Sequence, residues 1–314
     1  MNANPKKRNL RAMFSALKRG MPAVFVVCFF LATVAWAEDK YFPGKSDGTF
    51  TVTADAPKKL EGGRDLPAIK ERGTLVVAMY GLEDDAPFFF VNDDGVLVGL
   101  DVDIAKDVAQ AIGVKLEINR SFDDYSATAE AVAAGLADIA ISDLSDTEKR
   151  REIVDFPKEP YVTARLAVLV DLKRAAEAIG EEIEGASDLN DPKIKIAFEK
   201  GSSYAEDIED YFPKATGMPY VPGKNRLQPI MTGGAHGLLQ GEISMAKDIA
   251  ENPGILTKDG GRFDLIRVTK SEDPISIAMP KNTPALKKAI QAVLDDMDVI
   301  TPSNLLKKYP SPKQ

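Results

Sequence analysis

Short, unbroken apolar runs alternate with amphipathic stretches along most of this 314-residue chain. The run Leu75–Met79 is typical of a strand that is buried on both faces. Residues 101–112 place their apolar side chains on one face of a helix, a strand is predicted at Leu116–Ile118, and an alanine-rich helix follows at 126–134. Another strand is predicted at Asp138–Ser142. This alternation predicts an α/β fold in which helices cover a mixed, mostly parallel sheet.

The same alternation returns in the second half of the chain. Strands are predicted at Ala164–Val170 and Lys193–Phe198, and a helix at Ser203–Tyr211. A helix at 226–240 and a strand at Ile243–Ala246 are predicted to follow. Two α/β lobes place a cleft between them, which is the usual position of a small-molecule site.

The N-terminal segment has the pattern of a targeting signal. Residues 1–20 carry six Lys and Arg residues and no acid, and the apolar run Ala23–Val34 is followed by Ala35-Trp36-Ala37. This pattern predicts a secretory signal peptide that is cleaved after residue 37, and therefore a periplasmic protein. The alternative is a membrane anchor, but Met21–Ala37 is shorter than the roughly 20 residues that span a bilayer.

Cleavage at this position changes the composition. Removing 37 of 314 residues leaves 277, without the only Cys, the only Trp and six of the 40 Lys and Arg residues; against 48 acids the formal charge becomes −14. An acidic surface repels phosphate, so no nucleic-acid partner is predicted. One His and no Cys cannot build a multi-histidine or zinc-cluster site, so no metal, no cofactor and no catalytic residue is predicted.

Several short segments carry a family resemblance through their order and spacing. They are Gly73–Val77, Ala86–Phe88, Gly95–Ala105, Gly135–Ala140, Ser145–Arg150, Val154–Phe156, Lys193–Phe198 and Leu239–Ile243. Together they resemble the polar amino-acid-binding family of periplasmic solute-binding proteins, family 3. The resemblance implies a two-lobed type II periplasmic-binding-protein fold, in which each lobe is a mixed, mostly parallel sheet flanked by helices and the ligand cleft lies between the lobes.

The domain organisation that this resemblance implies has five parts. They are a signal peptide at 1–37, an N-terminal arm at 38–65, the first part of lobe 1 at 66–163, lobe 2 at 164–274, and a segment at 275–314 that returns to lobe 1 with a C-terminal helix. The arm is rich in Gly, Pro and charged residues, which is typical of an extended tether or arm. The two crossovers between the lobes, near Val162–Arg165 and Ser271–Ile275, are the predicted hinge.

The resemblance implies that Arg150 and Ser145 hold the carboxylate of a ligand. A guanidinium donates two parallel hydrogen bonds to a carboxylate, which lysine cannot reproduce. Asp248, after the last predicted strand of lobe 2, would accept from a ligand ammonium; Ser202 and Ser203 would touch the carboxylate or cap a helix. From the residues alone, a solvated charge run is the favoured interpretation of Arg150, whereas a loop cap and a ligand contact are equally consistent with Asp248.

Three further residues depart from the family pattern or bear on the ligand. Asp143 lies in the predicted carboxylate subsite, where a small residue is usual, and Asp85 replaces an aromatic residue. Tyr125 is the candidate lid aromatic, with a core or surface tyrosine as the alternative. The acidic set Asp84, Asp85, Asp143 and Asp248 favours a ligand with extra positive charge, such as a basic amino acid or another amine.

The function that the resemblance implies is binding rather than catalysis. The protein is expected to be the solute-binding component of an ABC-type uptake system, a monomer that closes on an amino acid or related amine or carboxylate and is read by an ABC permease in the inner membrane. One alternative is a dehydratase-like periplasmic enzyme, with Asp143 or Asp248 as the acid and Arg150 holding a small carboxylate. The other is an accessory or sensor protein without transport.

Overall fold

The computed structural model describes residues 43–82, 84–222, 225–256, 262–298 and 300–310. The predicted signal peptide therefore lies outside the described residues. In the part of the chain that is described, no helix has the length and apolar character needed to cross a membrane.

The described residues form fourteen strands and ten α-helices. The strands are β1 (Thr51–Thr53), β2 (Thr74–Tyr80), β3 (Asp84–Asp85), β4 (Phe89–Val91), β5 (Leu97–Val98), β6 (Lys115–Phe122), β7 (Ile139–Ala140), β8 (Val162–Ala164), β9 (Leu166–Asp171), β10 (Lys195–Glu199), β11 (Thr216–Tyr220), β12 (Gly237–Gly241), β13 (Phe263–Arg267) and β14 (Asp273–Ile275). The helices are α1 (Leu66–Arg72), α2 (Leu100–Ile112), α3 (Tyr125–Ala134), α4 (Glu148–Arg151), α5 (Leu172–Ile179), α6 (Tyr204–Tyr211), α7 (Gln228–Met231), α8 (Glu242–Glu251), α9 (Pro284–Asp295) and α10 (Pro302–Lys308).

Lobe 1 is built on a parallel sheet with the strand order β1-β6-β2-β7. The apolar run of β2 lies between β6 and β7, so almost all of its side chains are buried, as expected for a central parallel strand. Helix α2 ends where Gly113 adopts a left-handed conformation, and α3 begins where the Asp124 side chain accepts from the Ala127 N–H. The positions at which these helices begin and end leave the polar loops that follow the strands at one edge of the sheet.

Lobe 2 is built on a mixed sheet with the order β11-β10-β12-β9-β13. Strand β10 is parallel to both of its neighbours, whereas β9 is antiparallel to β12 and β13. The predicted mixed α/β architecture with two lobes is confirmed. After β14 the chain returns to lobe 1, where the Ala140 N–H donates to the Ala278 carbonyl at 2.8 Å.

Two strands connect the lobes. Strands β8 and β14 pair in antiparallel register, with Thr163 opposite Pro274. They coincide with the two crossovers that the sequence predicts as the hinge. Their pairing joins the two crossovers into one ribbon.

The predicted helix at 226–240 and strand at Ile243–Ala246 are wrong. The helix is limited to α7, the strand is β12, and Ile243 lies in α8. The residues of β12 are all buried between β10 and β9, and a Cβ on Gly237 would lie 2.7 Å from Val168 Cγ1. Close packing in the middle of the sheet therefore decides the strand, although its glycines weaken the local signal.

The described part of the N-terminal arm is packed on lobe 1 and is not a free tether. Strand β1 extends the sheet beside β6, and Phe50 is buried. The Lys45 N–H donates to the Gly95 carbonyl at 2.7 Å, and Arg120 donates to the Pro43 carbonyl at 2.8 Å. Exposed strand edges favour such pairing, which explains why a segment rich in Gly and Pro is ordered here.

Candidate ligand-binding site

The loop after β7 places a buried arginine beside lobe 2. Thr147 caps α4 by accepting from the Arg150 N–H at 3.2 Å. Arg150 is 6% exposed; its Nη1 donates to the Ser145 carbonyl at 2.7 Å and its Nη2 lies 3.5 Å from the Gly201 carbonyl. Among the described residues, no carboxylate oxygen lies within 4.0 Å of its guanidinium. Burial lowers the pKa of Arg150.

The two predicted serines of lobe 2 have different positions. The Ser203 hydroxyl is buried and lies 2.9 Å from the Ser145 hydroxyl of lobe 1. The Ser202 hydroxyl donates to the Glu199 carbonyl at 2.6 Å and accepts from the Tyr204 N–H at 3.3 Å. Ser202 thus stabilises its own turn, whereas Ser203 lies across from Ser145 and beside the loop that carries Arg150. We name Arg150, Ser145 and Ser203 the anion pole.

Asp143 lies among other carboxyl groups. Its backbone has a positive φ of 44°, and its N–H donates to Asp101 at 2.6 Å. Its Oδ1 atom is buried and has no hydrogen-bond partner among the described residues. Burial and the negative charges of Asp85, Asp101 and Asp273 raise the pKa of Asp143 well above its usual value.

The carboxyl group of Asp101 is fully buried behind Asp143. It accepts from the Tyr161 hydroxyl at 2.9 Å as well as from the Asp143 N–H. Burial is the main reason that the pKa of Asp101 rises to about 7. Asp101 lies in the first turn of α2, and this position alone does not show that its side chain faces the interior.

A second group of charged residues lies around Asp85, which is completely buried. Asp85 accepts from the Tyr125 hydroxyl at 2.8 Å and from Arg226 Nη1 at 2.6 Å. Nη2 of Arg226 in turn donates to Glu199 at 3.0 Å. Burial opposes the charged form of Arg226, but the charges of Asp85 and Glu199 outweigh it, so the pKa of Arg226 is raised.

Asp84 and Asp248 adjoin this group through a lysine of lobe 2. Lys247 Nζ donates to Asp84 at 2.7 Å and lies 3.7 Å from Asp248. Asp248 lies on α8 and not after the strand that the sequence predicts; its Oδ2 atom is buried and has no hydrogen-bond partner among the described residues. Burial raises the pKa of Asp248. We name Asp84, Asp85, Glu199 and Asp248 the acidic pole.

Tyrosines border the acidic pole. The rings of Tyr80 and Tyr125 meet edge to face with centroids 4.9 Å apart. Burial raises the pKa of Tyr80, Tyr125 and Tyr220, so all three are neutral hydrogen-bonding groups at physiological pH. Tyr80 is the last residue of β2, and its position at the carboxyl end of a parallel strand is a signal that sequence reasoning missed.

The two lobes are in direct contact beside the anion pole. The Gly201 carbonyl of lobe 2 accepts from the Ser126 N–H at 3.1 Å and from its hydroxyl at 2.9 Å. Gly201 has a φ of 78°, and a Cβ there would lie 2.5 Å from Asp124 Cγ. The approach of the lobes therefore depends on the missing side chain at residue 201.

Two functional residues, Arg226 and Glu199, were not predicted. Arg226 is 141 residues from Asp85 in sequence, so the ion pair has no local signal. Glu199 is the last residue of β10. Its place at the carboxyl end of a parallel strand is the only sequence feature that indicates a binding site there. Within the described ranges, no group of three or more His, Cys, Asp or Glu side chains is arranged to hold a metal ion.

The model of the bacterial extracellular solute-binding proteins, family 3, matches residues 78–310. The chain belongs to this family. Family members are extracellular solute-binding proteins, and the family match begins after the N-terminal arm. One curated relative is the L-cystine-binding protein TcyJ of Escherichia coli K12, which is 24% identical over 232 residues, 74% of this chain and 80% of TcyJ.

Two solved structures of this family are similar to the chain. The ancestral amino acid-binding protein AncCDT-1, described as a precursor of cyclohexadienyl dehydratase, is 26% identical with a TM-score of 0.61; the match covers 78% of this chain and 98% of that one. The amino acid ABC transporter substrate-binding protein AbpA from Streptococcus pneumoniae, bound to L-arginine, is 26% identical with a TM-score of 0.61. This match covers 77% of the present chain and 95% of AbpA. Both matches confirm the predicted two-lobed fold.

Proposed function

We propose that this protein binds an amino acid with a positively charged side chain, or a related amine, and delivers it to an ABC transporter. The observation that carries the proposal is a buried arginine that forms no direct ion pair with a carboxylate among the described residues, although Asp273 favours its charged form, together with an acidic pole in which Asp85, Glu199 and Asp248 are buried. A ligand with a carboxylate at one end and a cation at the other complements both. The likeness to an arginine-bound ABC substrate-binding protein supports the same ligand class.

The anion pole accounts for the carboxylate. A buried charge without a partner destabilises a protein, because desolvation is not offset by a counter-charge. Arg150 meets only carbonyl oxygens among the described residues, so a carboxylate would add the charge-assisted, forked hydrogen bonds that guanidinium favours. The Ser203 hydroxyl of lobe 2 lies beside this arginine, within 2.9 Å of the Ser145 hydroxyl, which also hydrogen-bonds to Asp273.

Two buried carboxylate oxygens account for the cationic groups. Asp143 Oδ1 adjoins the loop of Ser145 and would accept from the α-ammonium, whereas Asp248 Oδ2 belongs to the acidic pole and would accept from a side-chain cation. The rings of Tyr80 and Tyr125 form an aromatic border of the kind that stabilises a guanidinium or ammonium group. Asp85 completes this subsite.

Closure of the lobes would couple ligand binding to transport. Arg150 and Asp85 belong to lobe 1, whereas Ser203 and Asp248 belong to lobe 2. A ligand that contacts all four binds the closed form more tightly than the open form, and this difference is what shifts the equilibrium. The ribbon of β8 and β14 is the proposed hinge.

The location and partners follow from the family and the N-terminal pattern. We propose that residues 1–37 are a cleaved signal peptide, that the mature protein is a periplasmic monomer, and that its partner is an ABC permease of the inner membrane. The proposed boundaries are 38–65 for the arm, 66–163 and 275–314 for lobe 1, and 164–274 for lobe 2. The extracellular family and the ABC transporter relative support this assignment.

The ligand class is tested by recovering what the protein carries. Mature protein is purified, denatured, and the released small molecules are identified by mass spectrometry. Calorimetry with L-arginine, L-lysine, L-glutamine, L-cystine and L-glutamate then ranks affinities. We expect a basic amino acid to be released and to rank first, because the cleft is acidic. Preferential binding of L-glutamate would overturn the proposed ligand class.

An enzyme on the same fold is the second candidate. The pKa of Glu199 is raised, mainly by burial, to about 7, which suits a general acid at neutral pH. Its ion pair with Arg226 favours a structural role instead. Prolonged incubation with the recovered ligand separates the candidates: binding leaves the ligand unchanged by mass, whereas a dehydratase converts it to a product lacking water.

A further inference from the structure

Arg226 is a buried cation of lobe 2 that reaches across the cleft. Its side chain is 7% exposed, and its guanidinium lies between Asp85 of lobe 1 at 2.6 Å and Glu199 of lobe 2 at 3.0 Å. Both bonds are long-range, because Asp85 is 141 residues and Glu199 is 27 residues away in sequence. The guanidinium instead joins one carboxylate from each lobe, which is an unusual position for a side chain of the protein itself.

The surroundings of Arg226 are those of a binding site for a ligand cation. Asp85 and Glu199 are almost completely buried, and Tyr125 donates to Asp85 from beside the guanidinium. Lys247 repeats the arrangement on a smaller scale, because it pairs with Asp84 across the same cleft at 2.7 Å. Two adjacent carboxylates of β3 are thus both paired with cations of lobe 2.

We propose that Arg226 determines ligand specificity by acting as a built-in cation: it holds the lobes together through Asp85, and a cationic ligand group must displace it to reach that carboxylate. The inference rests on the proposed function, since it concerns the acidic pole of the same cleft. Only a ligand whose cation pairs with Asp85 better than Arg226 does can then bind there. A ligand with a neutral side chain does not pair with Asp85 and so does not have to displace Arg226. The presence of Arg226 therefore affects the affinity for cationic ligands more than the affinity for neutral ones.

The test uses Arg226→Gln and Asp85→Asn, with Arg262→Gln as the control. Arg262 forms an ion pair of 2.8 Å with buried Asp171 inside lobe 2, so its loss removes an arginine–aspartate pair, with a half-exposed arginine, that does not cross the cleft. Because the mature chain contains no Cys, Glu130→Cys and Glu209→Cys on exposed positions of α3 and α6 allow spin labels to report the distance between lobes.

The two variants are expected to differ in the sign of their effect on ligand affinity. Without ligand, both lengthen the distance between the labels, because each removes the pair that joins the lobes. Arg226→Gln then binds L-arginine about tenfold more tightly, with L-glutamine changed much less, whereas Asp85→Asn binds L-arginine at least about tenfold more weakly. Arg262→Gln matches the parent protein in both measurements. If Arg226→Gln does not fold, Arg226→Lys and Asp85→Asn carry the test.

Three outcomes are decisive. Unchanged label distances in Arg226→Gln and Asp85→Asn would overturn the proposal, and so would equal gains for L-arginine and L-glutamine in Arg226→Gln. Failure of the proposed function has another signature: no amino acid binds to the parent protein or to any variant, while the label distance still lengthens in Arg226→Gln. That pattern would support the joining role of Arg226 and reject amino acids as the ligand.

Discussion

The two ends of the cleft are both charged and both buried, but they differ in how the protein compensates the charge. At the anion pole, Arg150 contacts carbonyl oxygens and no carboxylate within 4.0 Å among the described residues. At the acidic pole, Asp85 and Asp84 are each paired with a cation of lobe 2, Arg226 and Lys247. The cation of the anion pole has no carboxylate in direct contact, although the charge of Asp273 favours its charged form, whereas the carboxylates of β3 are already in ion pairs.

This difference separates affinity from selectivity. A ligand carboxylate that binds at the anion pole would pair with Arg150 without displacing a direct ion pair, so this end is expected to supply most of the binding free energy. A ligand cation at the acidic pole replaces an existing ion pair, so its net gain is smaller and depends on how well it fits. On the proposed function, the anion pole would require an amino acid or other carboxylate, and the acidic pole would select among them.

The largest effect is expected from Arg150→Ala. Loss of a buried, hydrogen-bonded charge pair weakens binding by roughly 2–5 kcal/mol, so affinity for L-arginine should fall at least about thirtyfold in calorimetry. The control is Arg151→Ala, since the neighbouring guanidinium is half-exposed and paired with Asp146. If Arg150→Ala retained its affinity for L-arginine, the anion pole would not be the main source of the binding free energy.

A smaller loss is expected from Gly201→Ala, which tests whether the anion pole is completed by lobe 2. The new Cβ would lie 2.5 Å from Asp124 Cγ, so closure is obstructed and affinity should fall about tenfold. Gly180→Ala is the matched control, because Gly180 also has a positive φ, of 90°, but no atom lies within 4 Å of its Cβ position. Equal binding by the two variants would show that closure does not add to affinity.

A change in preference more than in affinity is expected from Asp143→Asn. Asparagine tolerates the positive φ at this position and replaces the carboxyl group, which can ionise beside a ligand ammonium, with a neutral amide. Affinity should fall by about three- to tenfold for every ligand with an α-ammonium group, and no more for L-arginine than for L-glutamine. A loss confined to L-arginine would place the side-chain cation, and not the α-ammonium, at Asp143.

The smallest effect concerns stability against pH. The pKa of Asp101 is raised from 3.8 to about 7, so the folded protein binds a proton that the unfolded chain releases between these values. The free energy of unfolding should therefore decrease as pH rises from about 4 to about 7. Asp101→Asn should flatten this decrease in urea denaturation at pH 5 and 8, whereas exposed Asp94→Asn should not. If the free energy of unfolding decreased equally with pH in Asp101→Asn and in the parent protein, the proton responsible would be bound by a group other than Asp101.

Local sequence patterns predicted much of the scaffold and one end of the site. Apolar runs and helix caps indicated β2 and α2, and the family motif indicated Arg150 and Ser145, because each is encoded within a few neighbouring residues. Asp248 was predicted to follow a strand but lies on α8, since the glycines of β12 obscure a strand that close packing decides. Arg226 could not be found, because its partner Asp85 is distant in sequence and only the approach of the lobes brings them together.

The central claim is that one ligand binds both poles: its carboxylate pairs with Arg150, and its cation replaces a cation of the protein at the acidic pole. It is tested most directly by calorimetry on the mature protein with three related molecules: L-arginine, its neutral ureido counterpart L-citrulline, and agmatine, which lacks the carboxylate. We predict that L-arginine binds most tightly, that L-citrulline binds more weakly, and that agmatine binds weakest because Arg150 loses its partner. Equal affinity for agmatine and L-arginine, or tighter binding of L-citrulline than of L-arginine, would contradict the account.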